Sequence, residues 1–158
     1  MKVKTIVAVD PDIRKSGVTM LDVQTKSIEL YAMPFPELID FIYSLSDKES
    51  VIIAVEAGWL NQKSNFHGYY GNRGERIAKD VGANHETGKK IVEMCEHKEY
   101  SVSLVKPLGK RWSGSGGKIT HDELKSVLNQ RKIVLNRKRT NQDERDSILI
   151  AIYTYDRL

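Results

Sequence analysis

The sequence predicts an α/β fold: a mixed five-stranded sheet, made of an antiparallel three-strand meander plus two parallel strands, flanked by helices. Residues 6–9 and 51–55 are apolar throughout, as strands buried on both faces of a sheet are. Polar turns at 12–17 and 24–26 divide the first 33 residues into three successive strands. Apolar residues at helical spacing fill much of the remaining chain.

The first strand spans residues 4–10 and is stopped by Pro11, and the other two strands of the meander span 18–23 and 27–33. A helix follows, ending near residue 46, and Pro36 lies in its first turn, where the missing N–H costs little.

The two strands that are apolar throughout each end in an acid, Asp10 and Glu56. Taken alone, either acid is explained by a turn that needs a capping side chain. Two buried strands that each deliver a carboxylate are more informative, because sites in α/β sheets form beyond the carboxyl ends of neighbouring strands.

Residues 58–76 have no apolar periodicity and are rich in aromatic, Asn, Gly and basic residues. Such a segment either packs its own aromatic cluster or orders on a ligand by stacking on bases and holding phosphates. The nucleic-acid-binding candidates in this loop are Trp59, Lys63, Tyr69, Tyr70 and Arg73.

A helix is predicted from about residue 78 to 97, with small residues at 82, 83 and 88 that allow close approach of another helix, within the chain or across a dimer. Cys95, the only cysteine, excludes an internal disulfide and fits a buried thiol. The fifth strand covers residues 100–105, closed by Pro107.

Residues 108–120 form a basic, glycine-rich segment that we expect to be flexible and that lacks the spacing of a nucleotide-binding phosphate loop. Thr120 and Glu123 make a capping box for a helix through Gln130. The last helix covers 141–153, and Asp143 and Asp146, three residues apart, share a face of its first turn. Helix capping explains one such acid, but explains two same-face acids and two strand-end acids poorly.

Charge is unevenly distributed along the 158 residues. Residues 101–140 hold ten Lys or Arg against two acids, while the rest of the chain is slightly acidic. A neutral body with one basic region favours a polyanionic partner such as nucleic acid, although a solvated basic surface is the simpler alternative. The length suits one domain, residues 1–158, and no run approaches a membrane span or a signal peptide, so we expect a cytoplasmic protein without membrane contact.

If Asp10, Glu56, Asp143 and Asp146 converge, their all-oxygen ligand set suits Mg²⁺ or Mn²⁺. Two such ions roughly 4 Å apart would activate a water and stabilise the leaving oxygen in phosphodiester cleavage.

These segments, in order and nearly over the whole chain, resemble the RuvC-type Holliday-junction resolvases of the RNase H-like superfamily. Compact members of this family often come from phages or mobile elements, and the resemblance extends to such a member. The matching stretches are IVAVDPDIRKSGV, VIIAVEAGW, VGANHETGKKIVEMCEH, VSLVKPLGKRW with GGKITHDELK, and DERDSILIAIY. Asp12 stands where the family usually has glycine, and the loop at 58–76 is longer than in typical bacterial members.

The resemblance implies a Mg²⁺-dependent endonuclease that cuts branched DNA as a homodimer, with two ions per site and Mn²⁺ as a substitute. It implies that the four acids are catalytic metal ligands and that Trp59 lies near the DNA. Basic residues that bind phosphate or assist catalysis fall among Lys110, Arg111, Lys118 and His121. The basic segments add four further DNA-contact candidates: Lys106, Trp112, Arg137 and Arg139.

Three other functions stay open from the sequence. An RNase H-like nuclease could act on RNA or an RNA–DNA hybrid, and a non-catalytic protein could bind junctions and use the acids structurally. An actin-like kinase ranks last, because the chain is too short for a second domain and 10–17 lacks phosphate-loop glycines.

Overall fold

Five strands form one mixed sheet in the computed structural model, which describes residues 2–61 and 72–158. The sheet order is β3-β2-β1-β4-β5, with antiparallel pairing from β1 to β3 and parallel pairing of β4 with β1 and β5. The strands are β1 (Thr5–Asp10), β2 (Ser16–Asp22), β3 (Ser27–Met33), β4 (Val51–Glu56) and β5 (Ser101–Val105). The predicted fold class is confirmed, down to the meander and the two parallel strands.

Within residues 2–61 and 72–158, four α-helices accompany the sheet: α1 (Phe35–Tyr43), α2 (Asn72–His97), α3 (His121–Gln130) and α4 (Gln142–Tyr155). The capping box predicted at Thr120 and Glu123 is present. Helix α2 begins at Asn72 rather than near residue 78, because its first turn is mostly polar and so carries no apolar periodicity. No helix of the described part of the chain is long and apolar enough to cross a membrane.

The two faces of the sheet bury different helices, because successive strand residues point to opposite sides. On one face, Ile6 and Ala8 of β1 pack with the apolar sides of α3 and α4. On the other face, Val7 and Val9 pack with α1 and α2, where the Cys95 thiol is buried as predicted. Asp10 continues the row of Ile6 and Ala8, so the strand directs this acid toward α4.

Near its N-terminal end, helix α4 also meets β2 through a polar contact beside the apolar core. The hydroxyls of Thr19 and Ser147 lie 2.7 Å apart and are buried, and Ser147 Oγ donates to the carbonyl of Glu144 at 3.0 Å. Beside them, a Cβ on Gly17 would lie 3.2 Å from the carbonyl oxygen of Asp143. The lack of a side chain at Gly17 therefore lets the first turn of α4 approach the end of β1.

We expect Thr19→Val to reduce the free energy of unfolding by about 1 kcal/mol, because it removes the hydroxyl partner of Ser147 while keeping the side-chain shape. Urea denaturation monitored by circular dichroism measures this loss. Thr25→Val, at an exposed turn threonine whose hydroxyl lies 2.7 Å from that of Ser27, is the matched control. Equal stability of the two variants would contradict the prediction.

Candidate functional site

A cavity of about 750 Å³ opens at the carboxyl ends of β1 and β4. Its wall is built from the two strand ends, the first turn of α4, one face of α2 and the segment after β5. All four acids singled out in the sequence line it: Asp10, Glu56, Asp143 and Asp146. The tertiary structure thus brings together carboxylates that are far apart in the chain.

Strand register places Asp10 beside Glu56. In the parallel ladder Val9 pairs with Val55, so the next residue of each strand lies at the same edge of the sheet. Both acids continue the strand rows that face α4, as shown by the packing of Ala8 and Ala54 in the core beneath that helix.

Asp143 and Asp146 enter the cavity from the N-terminal turn of α4. That turn is fixed by a capping box in which Asn141 accepts from the Glu144 N–H and Glu144 accepts from the Asn141 N–H. Capping therefore falls to Asn141 and Glu144, and the two aspartates are not needed for it. This removes the simplest structural explanation for the two aspartates.

Burial of Asp10 raises its pKa from 3.8 to about 8, and the nearby carboxylates of Glu56, Asp146 and Asp143 add to the increase. The pKa of Glu56 is also raised, chiefly by burial and then by Asp146. The ammonium groups of Lys110 and Lys118 oppose that rise. The raised pKa values of Asp10 and Glu56 indicate that these two carboxylates have too little positive charge around them, and a bound cation would supply that charge.

The donor set fits a hard divalent cation in chemical type, since four carboxylates face one solvent-open cavity without thiols. As placed, however, no three His, Cys, Asp or Glu side chains in ranges 2–61 and 72–158 form a ready ligand cluster. Both carboxylate oxygens of Asp146 already have neighbours: Oδ1 accepts from Gln142 Nε2 at 2.8 Å, and Oδ2 lies 3.8 Å from Lys118 Nζ. Sharing an ion would bring the carboxylates of the other acids closer to Asp146 than they lie here.

The basic segment after β5 is held in place, which differs from the flexibility expected from its glycines. Glu123 accepts from the backbone N–H and the hydroxyl of Ser113 and from the backbone N–H of Thr120. Backbone bonds from Trp112 to Gly117 and from Gly114 to Lys118 close the turn. The sequence showed the glycines but not these contacts, which fix Lys118 at the cavity.

An aromatic wall lies across the cavity from α4. Trp59 packs edge-on against His85, with ring centroids 6.4 Å apart, and a Cβ on Gly88 would lie 2.5 Å from the Trp59 ring. Gly88 therefore leaves space for the Trp59 ring of the same chain, not for another helix. Gly82, by contrast, has no atom within 4 Å of such a Cβ among the described residues.

The structure places three of the predicted basic and aromatic residues in the cavity lining besides Trp59: Lys110, Trp112 and Lys118. Arg111 lies beside them, with its guanidinium carbon 5.4 Å from the Trp112 ring centroid.

Other predicted contact residues lie outside the cavity lining. Lys106 is exposed after β5, Arg139 is exposed before α4, and Arg73 is exposed in the first turn of α2. Arg137 pairs with Glu144 at 3.1 Å. His121 Nδ1 lies 2.8 Å from the Thr140 hydroxyl.

Lys63, Tyr69 and Tyr70 were predicted as contacts in the long loop, and they lie outside the described residues.

The structure also adds cavity residues that the sequence did not indicate. Asn84 and His85 line the wall from α2, and Asn84 Oδ1 accepts from the backbone N–H of Ile13 at 2.8 Å. Gln142 and Arg145 act behind Asp146. Gln142 lies four residues before Asp146 and three before Arg145, a spacing that places all three side chains on one helical face. The sequence contains this spacing, but it points to a role at the site only when Asp146 is known to face the cavity.

Comparison with solved structures identifies the fold. Thermus thermophilus RuvC in complex with a Holliday junction substrate aligns over 97% of this chain and 94% of its own, with 13% identity and a TM-score of 0.57. The chain has the fold of RuvC. A second Thermus thermophilus RuvC structure aligns over 97% of this chain and 95% of its own, with 18% identity and a TM-score of 0.48. No protein-family model matches the chain, and the search of curated proteins found no match.

Asp10→Asn should stabilise the metal-free protein at pH 8. The pKa of Asp10 is higher in the folded state than in the unfolded state, so its contribution to stability is present below about pH 4 and is lost as pH rises toward 8. Removing the charge avoids a loss on the order of a few kcal/mol. Thermal unfolding in EDTA from pH 4 to 8 measures the difference between variant and wild type. A difference that does not grow with pH would contradict this prediction.

Proposed function

We propose that this protein is a divalent-metal-dependent endonuclease that cleaves phosphodiester bonds in branched DNA, in the manner of a Holliday-junction resolvase. The observation that carries the proposal is the convergence of four carboxylates on one open cavity of a RuvC fold, with Lys110 and Lys118 beside them. The Thermus thermophilus RuvC that shares this fold was solved with a Holliday junction substrate.

Mg²⁺ is the proposed cofactor, with Mn²⁺ as a substitute and two ions per site, held by Asp10, Glu56, Asp143 and Asp146. When bound, such ions would polarise the attacking water and the leaving oxygen of a phosphodiester. Asp10 is central in this arrangement, because it ends the central strand and lines the same cavity as Glu56 and the two acids of α4, whose charges raise its pKa.

The chain's own cations and aromatic rings would bind the substrate around that centre. Lys118, whose Nζ lies 3.8 Å from Asp146 Oδ2, would contact a phosphate at the cavity, and Lys110 lies near Glu56. Trp59 and Trp112 offer apolar surfaces to sugars or bases on the cavity wall. A catalytic role for His121 stays a prediction.

The basic surface would hold the DNA backbone outside the cavity, through residues whose exposure the structure describes. Lys106, Arg111 and Arg139 are exposed and form no ion pair with an acid in the described part of the chain, whereas Arg137 already pairs with Glu144. Arg73 and the loop residues Lys63, Tyr69 and Tyr70 complete the proposed contact set.

A homodimer is part of the proposal, because resolving a four-way junction requires two symmetric cuts. The open surface at Gly82 on α2 is the proposed contact. Light scattering after size exclusion would test the dimer independently of cleavage.

The deciding experiment compares a labelled four-way DNA junction, a linear duplex and an RNA–DNA hybrid, each with Mg²⁺, Mn²⁺ or EDTA. We expect paired cuts near the branch point that are absent in EDTA and reduced at least about a hundredfold in Asp10→Asn and Asp146→Asn. Asp80→Asn, an exposed acid on α2, is the matched control and should cut normally.

Other outcomes assign other functions. Cleavage of the hybrid without a branch would indicate an RNase H-like substrate. Tight junction binding without cutting in either metal would contradict the nuclease and leave a junction-binding protein.

Lys118→Met should weaken junction binding and lower the salt dependence, since each lost phosphate contact reduces the slope of log K against log salt by about one. Binding titrations in EDTA at several salt concentrations, using fluorescence anisotropy, measure the slope. Lys125→Met, an exposed lysine on α3, serves as control. An unchanged slope in Lys118→Met would exclude a phosphate contact at this position.

A further inference from the structure

Asp146 is oriented by a chain of hydrogen bonds that runs along one face of α4. Gln142 Nε2 donates to Asp146 Oδ1 at 2.8 Å, and Arg145 Nη2 donates to Gln142 Oε1 at 3.1 Å. The three residues are spaced so that they share one helical face. Their order along the chain of bonds is arginine, amide, carboxylate.

The chemistry of these groups allows one orientation of the amide. A guanidinium only donates, so the amide oxygen must face Arg145, and an ionised carboxylate only accepts, so the amide nitrogen must face Asp146. Both hydrogen bonds of the Gln142 side chain therefore require the same orientation of its amide group. The bond occupies Oδ1 of Asp146 and leaves Oδ2, the oxygen on the Lys118 side, for other partners.

Arg145 is itself fixed by backbone acceptors. Its Nε donates to the carbonyl of Ile119 at 3.0 Å, and its Nη1 donates to the carbonyl and the hydroxyl of Thr140. Ile119 directly follows Lys118, so the same guanidinium joins the basic segment to the helix that carries Asp143 and Asp146. The side chain is half-buried, which limits competition from water.

We propose that Gln142 and Arg145 are positioning residues: they hold the Asp146 carboxylate so that Oδ2 is presented to a divalent cation, and Arg145 acts through Gln142. This inference rests on the proposed function, because it assigns the outer partners of that same metal site. Outer-shell partners of metal-binding carboxylates typically change metal affinity by about 10- to 100-fold when removed. A neutral amide orients Asp146 without adding another charge to an acidic cavity.

Calorimetric titration with MnCl₂ tests the proposal on the intact protein without DNA. Gln142→Met, which keeps the length of the side chain and removes the donor, should lower Mn²⁺ affinity by about tenfold or more. Gln142→Ala should do the same, and it keeps the test available if the longer side chain disturbs folding. Gln130→Met, at an exposed position near the end of α3, is the matched control and should bind like wild type.

The double variant separates positioning from a general weakening of the helix. If Arg145 acts through Gln142, the variant carrying Gln142→Met and Arg145→Met binds Mn²⁺ no more weakly than the weaker of the two single variants. Additive losses would overturn the linkage. In the junction assay, Gln142→Met should raise the half-saturating Mn²⁺ concentration while kcat at saturating Mn²⁺ stays within about threefold of wild type.

The failures of the two proposals can be told apart. Unchanged Mn²⁺ affinity in both Gln142 variants, with normal binding by wild type, would overturn the positioning role and leave the nuclease intact. Absence of Mn²⁺ binding by wild type itself would contradict the metal site on which the proposed function depends.

Discussion

The burial of one carboxylate, Asp10, at the end of the central strand is the constraint around which this structure is arranged. A strand flanked on both sides by other strands and covered on both faces leaves its last residue partly buried, and burial together with the neighbouring carboxylates raises the pKa of Asp10 to about 8. The fold adds three more acids there, with Lys110 and Lys118 as nearby cations. Hydrophobic packing of β1 and α4 stabilises the protein enough to hold that repulsive cluster together.

Close approach of α4 makes the cluster possible, and it depends on small and polar contacts. Gly17, opposite Asp10 in the β1–β2 ladder, leaves space for the carbonyl of Asp143. One helical turn after Asp143, the buried hydroxyl pair of Thr19 and Ser147 joins α4 to β2. The capping box at Asn141 fixes where the helix begins. Together these features decide which side chains of α4 face the strand ends.

Positive charge reaches the acids from a segment held by side-chain bonds. Glu123 secures Ser113 and Thr120, and Arg145 secures Ile119, so Lys118 remains beside Asp146. The same arginine, through Gln142, orients Asp146. Acid and base at this cavity are therefore linked by one network, which gives the proposed metal site a defined geometry on its α4 side.

The sequence by itself determined the strands and the sheet class, because buried strands and amphipathic helices leave continuous, period-two or period-3.6 apolar patterns. It also singled out the four acids, because each lies at the end of a strand or the start of a helix. The structure confirmed the strands and the capping box at Thr120. It moved the start of α2 to Asn72, since a polar helical turn has no such pattern. Tertiary structure alone decided that Gly88 makes room for Trp59 and that Glu123 holds the glycine-rich segment. It also decided that Gln142 and Arg145 stand behind Asp146, because such contacts depend on packing between distant segments, which local periodicity does not encode.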